Sequence, residues 1–187
     1  MMMIETTIVL LSSTAAWNLA GAQTPPATQT ARWLTYQSRD LFFVFDRPSA
    51  WEYHTEEDSN EVVFLRGNLS VSVAVANNDE GNTVDQFLEV NKSLLRQRCP
   101  APEVREEGKA TVAGAPGAYF TMYCPGPRLP AIVRISAAAN YGKFFIFNVT
   151  VPSAELPAAQ AEIDQMARSF KASDGLPEGH EPRKRAR

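Results

Sequence analysis

Lys143-Phe144-Phe145-Ile146-Phe147-Asn148-Val149-Thr150-Val151 is the most apolar run of the chain after its N-terminus. Phe145, Phe147, Val149 and Val151 share one face of an extended chain, and Phe144 and Ile146 add bulk to the other. Apolar bulk on both faces predicts a strand in the middle of a sheet, covered on both sides. Pro152 stops the strand. Leu156, Ile163, Met166 and Phe170 then fall on one helical stripe, which predicts a helix folded back onto the sheet.

Working outward from this stretch, the chain reads as short strands broken by turns. Leu41–Phe45 predicts a first strand, Arg47–Ala50 a turn and Trp51–Thr55 a short return. Glu61–Arg66 and Leu69–Ala76 flank Gly67-Asn68, a good hairpin signal. Thr83-x-x-Gln86 is a capping-box pattern that opens a helix running to about Arg98, where Pro100 and Pro102 forbid its continuation. Val104–Val112 is polar enough for an edge strand. Ala113–Gly117 turns the chain into Ala118–Cys124, and Ala131–Ala139 leads through Asn140-Tyr141-Gly142 into the Lys143 strand. Hairpin connections imply antiparallel pairing. The expected class is α+β: an antiparallel β-sheet flanked by helices, one midway and one at the C-terminal end.

The chain has 187 residues, 44% hydrophobic and 21% charged, which suits one soluble domain with tails. Its net charge of −3 gives no electrostatic case for nucleic acid. Ile8 to Leu19 is weakly apolar, and Ala20-Gly21-Ala22 supplies a small-x-small cleavage pattern, so residues 1–22 read as an export signal with Gln23 as the first mature residue. Against this, the segment before the apolar run has no Lys or Arg and carries Glu5; a disordered or anchoring N-terminal segment is the other reading. Residues 23–32 form a Pro/Thr/Gln linker, 33–172 the folded domain and 173–187 a tail ending in Arg183-Lys184-Arg185-Ala186-Arg187. That basic run offers weak contact to an anionic membrane, at ~1 kcal/mol per basic residue, or is simply a solvated end. The two cysteines, Cys99 and Cys124, pair as a disulfide if the chain is exported and are small unpaired hydrophobes otherwise.

Several landmarks together resemble the PsbP-like superfamily. They are Phe43-x-Phe45-x-x-Pro48-x-x-Trp51, the alternating Leu69–Val75 strand and the Thr83–Arg98 helix. Val112-x-Gly114-x-x-Gly117-x-x-Phe120 follows, then the Phe144–Val151 strand and the ending Met166-Ala167-Arg168-Ser169-Phe170. The order and spacing cover residues 35–172. The superfamily includes the extrinsic PsbP subunit of photosystem II, a Ran-binding nuclear transport factor and small bacterial envelope proteins. The resemblance implies an antiparallel sheet between helices, in a module that binds macromolecules and is generally not an enzyme. It transfers no partner, because members' partners differ.

No catalytic or metal-binding constellation rises above background. His54 lies near Glu52, Glu56 and Glu57, but no nucleophile accompanies it, so an exposed edge histidine is the better reading; His180 lies in the tail. Ser49 and Ser169 lack a nucleophile-elbow context. Cys99 and Cys124 have neither zinc nor thioredoxin spacing. Gly114-x-x-Gly117 joins two strands and does not open a helix, so it is no phosphate loop. Glu56-Glu57-Asp58 lacks calcium-loop spacing and reads as a solvated turn. No cofactor is expected. Trp51, Tyr53, Tyr119, Tyr123 and Tyr141 remain as candidate partner-binding residues, since aromatics are enriched at hot spots; strands also use them to fill a core, and that reading is favoured. The expectation is an exported, non-catalytic binding or accessory module of the cell envelope, periplasmic or extracellular, that recognises an unknown protein or envelope component. The alternatives are a carboxylate-based hydrolytic enzyme, whose site the sequence hides, and a peripheral envelope protein held by its basic C-terminal tail.

Overall fold

The computed structural model describes residues 32–38, 40–55, 59–126 and 129–173. The expected leader, nearly all of the linker and tail, His180 and Glu56-Glu57-Asp58 lie outside the described residues. In chain order the elements are β1 (Trp33–Ser38), β2 (Phe43–Pro48), β3 (Glu52–Thr55), β4 (Glu61–Arg66), β5 (Leu69–Asn77) and α1 (Val84–Arg98). They continue with β6 (Glu103–Val112), β7 (Ala115–Cys124), β8 (Ala131–Asn140), β9 (Lys143–Pro152), α2 (Leu156–Ser169) and β10 (Lys171–Ala172). The class is α+β with antiparallel sheets, as the sequence predicts.

β9 is the middle strand of a seven-stranded sheet ordered β3-β4-β5-β9-β8-β7-β6. Its two faces are covered differently. Phe145, Phe147, Val149 and Val151 join Ile163 and Met166 of α2, Phe170 and the inner residues of β4 and β5 in the main core. On the reverse face Phe144 stacks on Phe87 of α1 at 4.6 Å, and Ile146 packs on a smaller cluster of Leu88, Phe120, Met122 and Ile135. α1 begins as its sequence predicts: the Thr83 hydroxyl accepts from the Gln86 amide, and the Gln86 side chain accepts from the Thr83 amide. That satisfies two otherwise orphaned donors.

The sequence reading expects one sheet, and the structure has two. β1, β2 and β10 form a small second sheet in the order β1-β2-β10. The sequence predicts Leu41–Phe45 as the first strand with a turn from Arg47; instead β1 precedes it, and β2 runs to Pro48, where it pairs with Trp33. Trp33-Leu34-Thr35-Tyr36 has too little apolar alternation to mark β1 alone. The small sheet sits on the main-core face: the rings of Phe43 and Phe45 are 6.1 Å apart, Phe45 meets Phe64 edge-on at 4.8 Å, and Phe43 meets Phe170 at 5.7 Å.

The main sheet curls. Cα atoms at the β6 edge come within 8 Å of β9, although two strands lie between them. Two glycines on the concave face permit this. A Cβ on Gly117 would lie 2.2 Å from the Ala137 carbonyl oxygen of the neighbouring strand, and one on Gly108 would lie 3.0 Å from the Tyr119 ring. Cys99, the C-cap of α1, is bonded to Cys124 at the end of β7, with Cα atoms 5.5 Å apart.

Phe145→Ala and Phe147→Ala should each cost ~3–5 kcal/mol, read as a lowered urea midpoint; two midpoints near wild type would contradict the layer assignment. Gly117→Ala should cost ~1–3 kcal/mol or more, because a backbone carbonyl faces the new methyl and cannot swing away.

Candidate functional site

The curl makes β6, β7 and β8 a shallow trough. Side chains alternate along β7, so Ala118, Phe120 and Met122 are buried beneath α1 while Tyr119, Thr121 and Tyr123 line the concave side. Register places Tyr119 opposite Ser136 and Thr121 opposite Arg134. The Tyr119 ring lies against Gly108, and its hydroxyl donates to Glu106 Oε1 at 2.6 Å. The Arg134 guanidinium stacks over the same ring, 4.1 Å from its centroid. Four residues on, Arg105 sits over Tyr123 at 4.9 Å and pairs with Glu103 at 2.8 Å. A bulge between Val104 and Glu106 inserts Arg105 into the edge strand.

Where α2 crosses the trough there is a cleft of about 190 Å³. Phe147, Val149, Ile163 and Ala167 supply apolar wall, and Arg134, Ser136, Asp164 and Arg168 supply polar groups. A wider surface depression of about 300 Å³ lies between α1 and β6. Its charges satisfy one another: Lys92 donates to Glu89 at 2.7 Å and Glu107 at 2.9 Å, and Lys109 pairs with Asp85 at 3.1 Å. Lys92 is nearly buried, with Phe120 beneath it. Burial pushes its ammonium pKa down, but the hydrogen bonds it donates to Glu89 and Glu107, with their charges, outweigh that and leave it raised. The Lys92 hydrogen bond in turn holds the Glu89 carboxyl below its usual range.

The five aromatic candidates do not converge. Trp51 is 1% exposed and belongs to the core. Its indole donates to Glu162 Oε2, which also pairs with Arg66. Tyr53 is 48% exposed; it lies on β3 at the edge of the main sheet, against Tyr36 of the small sheet and beneath Arg47. Tyr141 is 66% exposed and occupies the β8–β9 hairpin turn. Tyr119 and Tyr123 alone share a face. His54 is exposed on β3, opposite Val63. The Ser169 hydroxyl is committed to the Asp46 amide and the Met166 carbonyl. Among the described residues no group of three or more His, Cys, Asp or Glu side chains could hold a metal ion. Sequence reasoning did not single out Arg134, Arg168 or Lys92. Lys92 had a signal, a lysine four residues after Leu88 on the buried stripe; the arginines had none.

No family model matches the chain, and no curated protein matches it. Solved structures do. The chain is similar to cyanobacterial PsbP (CyanoP) from Synechocystis sp. PCC 6803, with TM-score 0.55 and 16% identity over 80% of this chain and 98% of that one. The Ran-binding protein Mog1p of Saccharomyces cerevisiae aligns with TM-score 0.55 and 10% identity over 78% and 97%. LpqN, involved in cell envelope biogenesis of Mycobacterium tuberculosis, aligns with TM-score 0.51 and 11% identity over 76% and 91%. These likenesses show that the chain has the PsbP-like fold.

The hydrogen bond to Glu106, then burial, raise the Tyr119 pKa above that of an ordinary phenol, while the Arg134 charge pulls it down. Glu106→Gln should therefore lower it and Arg134→Gln raise it further. NMR titration of ring-labelled tyrosine reads both; Tyr36, which burial also raises, should not move. An unchanged Tyr119 in both variants would show that the three groups do not meet in solution.

Proposed function

We propose that this protein is an exported, non-catalytic binding module of the cell envelope that docks a macromolecular partner on the trough of β6–β8. The observation that carries the reading is Tyr119 and Tyr123 on one face of β7, each stacked with an arginine and neither fully buried. Tyr and Arg are the side chains that most often dominate binding energy, and a stacked guanidinium is held in place before a partner arrives. Export is supported by the leader pattern and by the Cys99–Cys124 bond. Among the structural neighbours, one is named as Ran-binding and one as involved in cell envelope biogenesis, which fits an accessory role without naming a partner here.

The enzyme reading has less support. Each of several described carboxylates has a structural partner: Glu162 with Arg66, Glu106 with Tyr119, Glu155 with Asn68, and Asp46 with Thr35. A hydrolytic pair needs two carboxylates facing a common space. The tail-anchored reading rests on residues outside those described; deleting residues 182–187 and measuring loss of sedimentation with anionic vesicles tests it.

In the native host, a photoreactive phenylalanine analogue in place of Tyr123 should cross-link to a discrete envelope partner. Tyr123→Ala with Arg105→Ala should weaken co-purification of that partner by about 2 kcal/mol without moving the urea midpoint. Undiminished co-purification would remove the trough as the docking face.

Protein recovered from that host should have the mass of a chain starting at Gln23 and no alkylatable thiol. A full-length product with two free thiols would reject export.

A further inference from the structure

We infer that the cleft between α2 and the trough binds a carboxylate carried on an apolar group. Arg134 and Arg168 both line it, and among the described residues neither has a carboxylate or hydrogen-bond partner. Arg168 has a carboxylate at the helical i−4 position, the usual place for a pair, but Asp164 accepts instead from Gln160 at 2.7 Å. Arg134 is fixed by stacking on Tyr119, which occupies a face of the guanidinium and leaves its N–H edge available. The hydroxyl of Thr121, opposite Arg134, is also buried without a partner. Other arginines, Arg32 and Arg98 among them, also have no such partner among the described residues; what sets half-buried Arg134 and exposed Arg168 apart is that both line one cleft with apolar walls.

The walls decide what kind of anion fits. Arg134, Arg168 and Asp164 together give the cleft one net positive charge, which suits a monoanion better than a doubly charged phosphate. A guanidinium fork matches a planar carboxylate bidentately. Phe147, Val149, Ile163 and Ala167 then offer apolar wall to whatever carries the carboxylate. The cleft's volume of about 190 Å³, roughly six waters at ~30 Å³ each, matches a branched aliphatic side chain or short acid.

The test is an amide NMR titration of the mature protein with isocaproate, with its neutral isostere isocaproamide and with inorganic phosphate. Isocaproate should shift amides of residues 110–112, 134–136 and 163–168 saturably, with a Kd on the order of 1 mM for its small size. Arg134→Gln and Arg168→Gln should each weaken it roughly tenfold or more, Arg134→Lys should recover part of that, and Lys143→Gln should change nothing. Equal binding of isocaproamide or phosphate, insensitivity to both arginine variants, or no saturable shift would each overturn the inference. A short acetylated and amidated peptide with one glutamate separates the two sources. Binding at least as tight as isocaproate assigns the cleft to an acidic side chain of a partner protein; binding of isocaproate alone assigns it to a free organic acid. The inference is separable from docking at Tyr123 and Arg105, since the Tyr123→Ala, Arg105→Ala protein should bind isocaproate normally whether or not it captures a partner.

Discussion

The approach of β7 to β8 at Gly117 shapes everything on the concave side. Only a residue without a Cβ lets the two backbones lie this close, with a virtual methyl just 2.2 Å from the Ala137 oxygen. Ala138, directly opposite in the ladder, is likewise small and fully buried. With this corner closed, β6 swings over the sheet towards α2, and the helix bridges a trough instead of lying on a flat surface. A flat sheet would leave Arg134 pointing into open water and would have no cleft beneath the helix.

The charged groups divide into those that hold the fold and those left over. Glu162 ties α2 to Arg66 and to the Trp51 indole, locking the helix over β4 and the entry to β3. Lys92 and its two glutamates lock α1 against the β6 edge. Asp46, Glu155 and Asp85 make local contacts of the same kind. Exposed pairs of this sort contribute little each, but they show where charge has already been matched. Arg134 and Arg168 fall outside that matching and share one cleft, which is what the inference about a bound carboxylate rests on.

Much of the architecture was legible in the sequence because β9 declares itself. Apolar residues on both faces of nine consecutive positions admit few other readings, and the alternation of Leu69–Val75 with small residues marks a second strand of the same kind. Thr83-x-x-Gln86 and the prolines after Arg98 marked the bounds of α1. What the sequence concealed was non-local. Sheet order beyond hairpins, the closing of β1, β2 and β10 into their own sheet, and the curl at Gly117 all depend on contacts between distant segments. The same holds for the site: Tyr119 and Tyr123 could be named from composition, but their difference from Trp51 is burial. That Arg134 and Arg168 line one cleft depends on β8 and α2 meeting, which no local pattern encodes.

The bond from Cys99 to Cys124 has a consequence for motion. α1 rests on the smaller of the two clusters, made chiefly of Leu88, Phe120, Met122, Val133 and Ile135, while the main core lies wholly on the other face of the sheet. A helix that rests on this smaller cluster, outside the main core, is a natural unit of sub-global opening. The covalent tie at its last turn keeps the open helix at high local concentration over its own docking strand, so opening is brief and reclosure fast. In a reducing environment the same helix would exchange its amide hydrogens on a separate, faster schedule than β9, and the reverse face of the sheet would become intermittently accessible without loss of the main core.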